Sequence, residues 1–540
     1  MKTISRLPRK ADDALLDARV LRIWRQVLDA DTIELDDSFF DSGGDSLGAL
    51  RLIAALREEL NIVLPLEDLF GHPTPRAVAA RIRSIEEHRV DSSETVPRRR
   101  SLGNDNLPVT WNQEERLQRE LQAGPRPKNM HFSLRLEGAL DVDAVEDALA
   151  LLVDRHDVLR SAFFRRGGAP YHRVADSKRP HVDWHDLTNR TAEEREDRTR
   201  LEAAEVVREP FDLESGLLCR AAVWRLAAED HVLVVCAEQL VADGWAMGVL
   251  LQQLATAYTA IARGGPTEPP EIELRFADFA AWERETYPLN VVSPIVNELR
   301  RDLLDPIESA PRLVLPELAA EVEASGRLTA SVDVPPEIWK SARANAQLDG
   351  ATTFCTAVAA LVSALADASA ADRIGAFIHA ANRRWPASQS LPGWFANRLL
   401  LTTDICAHDT ARDLLRRMRT ALTRALGRET FPWPCFLAYA FPGEYGRPAT
   451  IPYVRIQHNP VSAAATSPRF AALGTETFPL RSAGVSEAAV VYEPVERGDA
   501  LRLVISYATP AIPDARAPSL LDSCVSYLNA LATAPDDVLR

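Results

Sequence analysis

The chain has 540 residues, of which 46% are hydrophobic and 26% are charged, values typical of soluble globular proteins. Its length exceeds what one ordinary core accommodates, and it predicts about three domains or lobes. The net charge of −15 argues against a protein that binds nucleic-acid phosphates, because such sites need clustered Lys and Arg. No segment approaches the ~18 consecutive apolar residues of a membrane span, so no membrane partner is expected.

The N-terminus and the cysteines indicate a cytoplasmic location. MKTISRLPRKADD has basic residues without an apolar core behind them, unlike a signal peptide. The six cysteines are widely scattered and include no CxxC pair, which predicts reduced, mostly buried thiols. The eleven histidines form no HExxH motif, so the sequence predicts no metal site.

Residues 11–87 are predicted to form a small all-helical unit. Apolar residues recur at helical spacing from Val20 to Leu28 and again from Ala49 to Leu60, which gives two helices with one apolar face each. A third helix is expected after HPTPR, where Thr74 can cap and Pro75 suits the first helical position. An acidic, glycine-rich loop, DDSFFDSGGDSLG, separates the first two helices.

Residues 88–105 are predicted to be a linker, because they lack apolar periodicity and are rich in charge and turn formers. The basic run PRRRS at 97–101 is assigned to this solvated linker. The chain is then expected to divide into a lobe over 106–270 and a lobe over 271–540.

From residue 106 onward, strands and helices alternate. The segments HFSLRLEG, AAVWRLA, HVLVVCA, RIGAFIHA, YVRIQH and LRLVISYA predict strands. Helices are predicted over 141–156, 245–262, 351–366 and 409–426. This pattern indicates an α/β or α+β region of two lobes.

The segment GDSLG at 44–48 has three possible interpretations. It matches the G-x-S-x-G nucleophile elbow of hydrolases, but that motif needs a strand before it, and here it lies in a helical unit. It could simply begin a helix, with Asp45 or Ser46 as the cap. That second interpretation leaves unexplained why acidic residues and glycines accumulate over ten positions.

The third interpretation comes from a family resemblance. FFDSGGDSLGAL followed by LREELNIVLPLEDLFGHPTPRAVAARI resembles the carrier (thiolation) domains of nonribosomal peptide synthetases over essentially all of 11–87. The resemblance implies that Ser46, which follows Asp45, accepts 4′-phosphopantetheine as a phosphodiester. A helix N-terminus suits a phosphate there, and Leu47 would be an exposed contact for partner enzymes.

Residues 106–540 resemble the condensation domains of the same synthetases. Six segments occur in that family's order, namely VTWNQEERLQREL, RHDVLRSAFFRRGGAPYHRV, FDLESGLLCRAAVWRL, FADFAAWERE, GWFANRLLLTTDI and ISYATPAIP. The resemblance implies an all-α four-helix carrier domain plus an α/β two-lobed fold like chloramphenicol acetyltransferase, with the active site in a tunnel between the lobes.

The family's central motif, His-His-x-x-x-Asp-Gly, is altered in this chain. Asp243 and Gly244 match its end, whereas Glu238 and Gln239 stand at the two histidine positions. The second histidine of the family faces the tunnel, so the resemblance places Gln239 at the most important position. An amide accepts no proton at neutral pH, and losing a general base costs roughly 10²–10⁴ in rate.

Three interpretations of Gln239 remain open. Gln239 could orient the amine while proximity supplies much of the acceleration. Glu238 could replace the base, although strand alternation places residues 238 and 239 on opposite faces. Alternatively, the domain could be catalytically silent, like the condensation-derived X domains that recruit tailoring oxygenases. The resemblance also implies that Asp243 forms a structural ion pair with Arg155 or Arg160.

The sequence thus predicts a two-domain component of nonribosomal peptide biosynthesis. It would carry an acyl or aminoacyl thioester on Ser46 and present it to the condensation-like domain for amide formation, or else act as a silent platform. No adenylation, thioesterase or docking segment is visible, so a free-standing protein is expected. The partners implied are a phosphopantetheinyl transferase, a separate adenylation or loading enzyme, and a downstream carrier, amine acceptor or tailoring enzyme.

Overall fold

The structure is a computed structural model. It describes residues 9–28, 30–39, 42, 52, 55–56, 59–60, 73–87, 96–123, 128–176, 179–265, 271–289, 294–304, 327–369, 371–443, 445, 454–457, 470–480, 488, 490–497, 499–508 and 516–539.

The described helices, numbered in chain order, are α1 (Arg9–Leu28), α2 (Pro75–Glu87), α3 (Trp111–Ala123), α4 (Val142–Arg155), α5 (Ala192–Arg208), α6 (Gly244–Ala262), α7 (Phe276–Thr286), α8 (Pro294–Leu304), α9 (Pro336–Leu348), α10 (Thr353–Ser369), α11 (Pro386–Gln389), α12 (Ala411–Gly427), α13 (Trp433–Ala440) and α14 (Arg516–Thr533). The strands are β1 (Asn129–Glu137), β2 (Ser161–Arg166), β3 (Ala169–Val174), β4 (Val182–Asp186), β5 (Cys219–Ala227), β6 (Asp230–Glu238), β7 (Arg327–Asp333), β8 (Arg373–Ala380), β9 (Asn397–Asp404), β10 (Val454–Ile456), β11 (Gly474–Thr477), β12 (Val490–Arg497) and β13 (Ala500–Ala508).

The N-terminal unit is helical, as the apolar periodicity predicts. Val20, Trp24, Leu52 and Leu56 lie in one buried cluster with residues of α2. Thr74 accepts a hydrogen bond from the backbone N–H of Ala77 at 3.2 Å, which confirms the predicted cap at the start of α2. Residues 44–48, which include Asp45, Ser46 and Leu47, lie outside the described residues.

Each lobe is built around one sheet. The first has the strand order β11-β1-β6-β5-β4 and the second has the order β7-β13-β12-β10-β8-β9, and β2 and β3 form a separate hairpin. All six predicted strands are present, and helices α4, α6, α10 and α12 confirm the four predicted helices of this region.

The lobes are interlocked by β11, a polar strand from the second half of the chain that pairs with β1 of the first sheet. The backbone N–H of Phe478 donates to the carbonyl oxygen of Ser133, and the Ser133 hydroxyl donates back to the carbonyl oxygen of Phe478 at 2.6 Å. Phe276 and Phe279 of α7 also pack into the apolar cluster beneath the first sheet.

The end of the predicted linker is fixed to α7. The backbone N–H of Arg100 donates to Asp278 at 3.2 Å, and its guanidinium pairs with Glu285 at 2.5 Å. Arg99 remains half-exposed and lies 3.9 Å from the Asp278 carboxylate. The basic run PRRRS is therefore anchored to α7 instead of being free in solvent.

No single described helix is both long and apolar enough to cross a bilayer; only α9 and α10, bent by 107° at their junction, reach that composition together.

Candidate functional site

The candidate site is the turn between β6 and α6. Strand β6 ends at Glu238, and α6 begins at Gly244 with Asp243 as its N-cap. The Asp243 carboxylate accepts from the backbone N–H of Ala246 at 2.8 Å, which satisfies one of the free donors of the first helical turn. The predicted frame of Asp243 and Gly244 therefore forms as a strand, a turn and a helix start.

Asp243 also fastens this turn to the second lobe. Its Oδ2 accepts from the backbone N–H groups of Phe395 and Ala396 at 3.0 and 2.9 Å, and its Oδ1 accepts from Arg383 at 3.1 Å. With the bond from Ala246, the carboxylate accepts four hydrogen bonds while 5% exposed. Such an arrangement compensates the cost of burying its charge.

The predicted ion pair between Asp243 and Arg155 or Arg160 is wrong, because the partner is Arg383. The Arg160 guanidinium donates to the carbonyl oxygens of Val153 and Ala175 at 2.9 and 2.8 Å. Arg160 follows α4 closely in the chain, so the free carbonyl groups at the end of that helix lie within its reach.

Arg383 connects several loops of the second lobe to this turn. Its guanidinium donates to the carbonyl oxygens of Ser388, Leu391 and Gly393 at 2.5, 2.6 and 3.2 Å, in addition to Asp243. The group lies 4.3 Å from the centre of the Phe395 ring. Burial lowers the pKa of Arg383, and the neighbouring Asp243 carboxylate opposes that shift.

Glu238 is turned toward α3. Its carboxylate accepts from Arg116 at 3.0 Å and from the backbone N–H of Leu240, and both charged side chains are 3% exposed. Burial raises the pKa of Glu238 to about 7, although the Arg116 charge opposes the shift. Its role as a replacement base stays a prediction, and these contacts favour a structural role.

Gln239 is held in place by hydrogen bonds of its backbone. Its N–H donates to the carbonyl oxygen of Lys128 at 2.9 Å, and its carbonyl oxygen accepts from Ala242 at 3.3 Å. The side chain is half-buried, and its amide makes no hydrogen bond to any of the described residues. The neighbouring Gly244 is exposed, with Met130 3.9 Å from where a Cβ would stand.

Four buried polar residues of α3 complete the site, and no sequence motif assigned a role to any of them. Gln113 donates to the carbonyl oxygen of Leu240 at 2.7 Å, and Asn112 donates to the carbonyl oxygen of Ala396 at 3.2 Å. Glu115 pairs with Arg398 of β9 at 2.8 Å, and Arg116 binds Glu238. The signal was a run of polar residues, WNQEER, at the start of a helix in the first quoted condensation segment.

The described residues contain no group of three or more His, Cys, Asp or Glu side chains that could hold a metal ion. All six cysteines are free thiols, and only Cys406 is exposed.

Two family models match the chain. The model described as a condensation domain matches residues 104–538, and the one described as a phosphopantetheine attachment site matches residues 18–82. The chain belongs to the condensation-domain family. It also carries a phosphopantetheine carrier domain, so its cofactor is covalently bound 4′-phosphopantetheine. The predicted order of the two domains and their fold class are confirmed.

The most informative relatives are components of peptide synthetases. One component of the linear gramicidin synthase of Brevibacillus parabrevis is 31% identical over 424 residues, which cover 77% of this chain and 5% of that protein. Surfactin synthase subunit 2 of Bacillus subtilis (strain 168) is 28% identical over 548 residues, covering 98% of this chain and 14% of that protein. The chain thus spans only a small part of the curated relatives it matches.

Two solved structures share the fold of the condensation region. The X-domain from teicoplanin biosynthesis matches with a TM-score of 0.70 and 22% identity, covering 82% of this chain and 98% of its own. The SgcC5 protein from Streptomyces globisporus matches with a TM-score of 0.64 and 22% identity, covering 80% of this chain and all of its own.

Proposed function

We propose that this protein forms amide bonds in nonribosomal peptide synthesis, with Gln239 positioning the reactants in place of a basic residue. The observation that supports the proposal is the Gln239 amide, which makes no hydrogen bond to a described residue and lies at the family's reacting position beside an intact Asp243 frame. A side chain with both a donor and an acceptor can orient an amine or polarise a carbonyl group without changing its protonation state.

The acyl group would arrive on Ser46 of the carrier domain. When bound, 4′-phosphopantetheine supplies the thiol that holds this acyl group as a thioester. Ser46 would be modified by a phosphopantetheinyl transferase and acylated by a separate loading enzyme, and the product would pass to a downstream carrier, free amine or tailoring enzyme.

The reaction needs little acid–base help from the protein. The lone pair of a neutral amine attacks the thioester carbonyl carbon, the C–N bond forms, the C–S bond breaks, and the amine proton leaves with the thiolate as a thiol. Gln239 can hydrogen-bond the attacking nitrogen or the carbonyl oxygen, but it cannot remove a proton. Holding both reactants in the cleft would therefore supply most of the acceleration.

The test is a reconstituted single turnover. The full chain is loaded with a phosphopantetheinyl transferase and an acyl-coenzyme A, offered a panel of amines, and followed by mass spectrometry of the carrier and the product. We expect the prosthetic group on Ser46 and amide product, neither of which should form with Ser46→Ala. Modification that persists in Ser46→Ala would contradict the assignment of Ser46.

The role of Gln239 is tested in the same assay. Gln239→Ala should slow amide formation about tenfold, the worth of one hydrogen bond in the transition state. Gln252→Ala, on the exposed side of α6, is the matched control and should leave the rate unchanged. Equal rates for Gln239→Ala and the unaltered protein would show that the Gln239 side chain has no role in amide formation.

A second candidate function is a non-catalytic platform that recruits a tailoring enzyme to the loaded carrier. It is favoured by the absence of a basic side chain at position 239, and the teicoplanin X-domain, whose fold is similar, has been solved in complex with OxyB. No product with any amine, together with stable binding of an oxygenase to the loaded protein, would replace our proposal with this one.

A further inference from the structure

The turn that contains Gln239 has a hydrogen-bond acceptor for every backbone N–H group from residue 238 to residue 243. Five of these six groups donate to backbone carbonyl oxygens, which belong to Leu218, Lys128, Glu238, Gln239 and Gly393. The exception is Leu240, whose N–H donates to the carboxylate of Glu238. Leu240 is fully buried, so an unpaired peptide group at this residue would be costly.

Side chains hold Leu240 at both its N–H and its carbonyl oxygen. The carbonyl oxygen accepts from the amide of Gln113 at 2.7 Å. The Glu238 carboxylate, which accepts from the N–H, is fixed in turn by Arg116 at 3.0 Å. Glu238 and Arg116 are 3% exposed and Gln113 is fully buried, and hydrogen bonds that are shielded from water in this way are strengthened. We call Glu238, Arg116 and Gln113 the clamp.

Helix α3, which supplies two members of the clamp, is also connected to the other end of the turn. The Asn112 amide donates to the carbonyl oxygen of Ala396 at 3.2 Å, and the N–H of Ala396 donates to Asp243 at 2.9 Å. The same helix therefore fixes Leu240 directly and Asp243 through one residue of the second lobe. The turn is held between these two points.

The clamp acts on the peptide unit that follows Gln239. A peptide unit is planar, so hydrogen bonds to its C=O and to its N–H together fix its plane. In this unit the carbonyl oxygen of Gln239 accepts from Ala242 at 3.3 Å, and the N–H of Leu240 donates to Glu238. The unit before Gln239 is fixed by the bond from its N–H to Lys128. The direction in which a side chain leaves the backbone depends on the two flanking units, so loosening the second one would misdirect the Gln239 amide.

We infer that Glu238, Arg116 and Gln113 are positioning residues that set the direction of the Gln239 side chain. The inference gives the acidic residue at the family's first histidine position a role through the backbone, and not as a base. It rests on the proposed function, because the direction of the Gln239 side chain matters for the rate only if this side chain takes part in amide formation.

The first experiment measures hydrogen exchange of the unloaded full chain by mass spectrometry. The pH is 8, where a Glu238 carboxylate with a pKa raised to about 7 is ionised. Glu238→Gln keeps the shape of the side chain, but an amide has one acceptor oxygen where a carboxylate has two, so either Leu240 or Arg116 loses this partner. We expect exchange at residues 240–242 to rise about tenfold, the effect of one lost hydrogen bond, and exchange at residues 231–237 to stay unchanged.

Two further variants identify the clamp as the cause. Gln113→Met removes the donor to the carbonyl oxygen of Leu240 and should raise exchange at residues 240–242 in the same way. Glu120→Gln is the matched control, because Glu120 is the other carboxylate that binds Arg116 and forms no hydrogen bond with a described residue of the turn. It should leave exchange unchanged. Unchanged exchange in Glu238→Gln, or an equal rise in Glu120→Gln, would overturn the inference.

The second experiment is a double-mutant cycle on the single-turnover rate of amide formation. Gln239→Ala should slow the unaltered protein about tenfold, but it should slow the Glu238→Gln protein less than about threefold, because a misdirected amide has little effect left to lose. In the Glu120→Gln protein the tenfold effect should remain. A tenfold effect of Gln239→Ala in the Glu238→Gln protein would overturn the inference. Raised exchange in a protein that forms no amide with any amine would support the clamp and contradict the proposed function alone.

Discussion

The two ends of the turn between β6 and α6 differ in the number of hydrogen bonds that their side chains make to the rest of the protein. At one end, the Asp243 carboxylate accepts four hydrogen bonds and joins the two lobes. At the other end, the Gln239 amide makes no hydrogen bond to a described residue. The two side chains lie only four positions apart in the sequence, yet one joins the lobes and the other makes no hydrogen bond to a described residue.

This difference shows which of the two positions can reveal whether the protein is catalytic. Asp243 stabilises the junction of the lobes whether or not the protein catalyses a reaction, because without it Arg383 would remain buried and unpaired. The side chain at position 239 has no such duty, so its replacement changes chemistry without disturbing the junction. The retained Asp-Gly pair is therefore evidence for the fold, and Gln239 is the place to test function.

The largest loss of stability should come from removing Arg383, the ion partner of Asp243. Arg383→Ala removes the charge partner of Asp243 and one hydrogen bond from each of three carbonyl groups, which should cost about 3–5 kcal/mol of unfolding free energy. Urea denaturation followed by circular dichroism measures the loss. Arg502→Ala, in the exposed pair with Asp333, is the control and should have a much smaller effect. Similar losses for both variants would contradict the structural role of the Asp243–Arg383 pair.

The second effect concerns the backbone that meets Asp243. Gly393 has a φ of +153°, and a Cβ at this position would lie 2.2 Å from the Phe276 ring. Gly393→Ala should therefore cost about 2–3 kcal/mol through strain and overpacking. Thermal unfolding measures it, with Gly103→Ala, which has open space around its Cβ position, as the control. A variant as stable as the control would show that the junction can relax around position 393.

Another buried carboxylate, that of Glu283, tests whether the number of hydrogen bonds it accepts sets the free-energy cost of burying its charge. Glu283 is 2% exposed and accepts one hydrogen bond, from the backbone N–H of Trp111 at 2.7 Å. Burial raises the pKa of Glu283 to about 7, above its ordinary value of 4.5. The folded state then binds the proton more tightly than the unfolded state, so stability falls as the pH rises from 4.5 through 7.

Glu283→Gln should remove this pH dependence, because an amide oxygen can still accept the Trp111 N–H. The two proteins should unfold alike near pH 4.5, and the variant should be more stable at pH 8 by about 3 kcal/mol. The measured quantity is the difference between the unfolding free energies of the two proteins at each pH, from urea denaturation. Burial lowers the pKa values of His156 and His172 to about 4, and their opposite contributions are the same in both proteins and cancel in this difference. A difference that does not change with pH would contradict the raised pKa.

Local sequence patterns explain which elements could be predicted. The apolar face of 245–262 and the β-branched run in HVLVVCA identified α6 and β6, and with them the turn that holds Gln239. Strand β11, GTET, has no apolar alternation. It is a strand because it pairs with the edge of β1, so no local sequence pattern predicts it. The family motif located Gln239 and Asp243, but the same resemblance suggested an arginine of the second motif, Arg155 or Arg160, as the ion partner. Arg383 lies 140 residues from Asp243, and only the folded junction brings the two together.

The smallest and most specific effect should appear in the pH dependence of amide formation. With Gln239 at the site, no side chain there takes up the amine proton, and only the neutral fraction of the acceptor reacts. The rate at fixed amine concentration should then rise about tenfold per pH unit until it levels off at the amine's own pKa. Single-turnover rates of amide formation, measured with two amines of different basicity, test this pH dependence, and the pH of the plateau should shift with the pKa of the amine.

Gln239→His should add a further rise in rate near pH 6.5, the ordinary pKa of an imidazole, whereas Gln239→Asn should not. A plateau that stays at one pH for both amines would mean that a group of the protein takes the proton, and Glu238, with a pKa raised to about 7, would be the first to test.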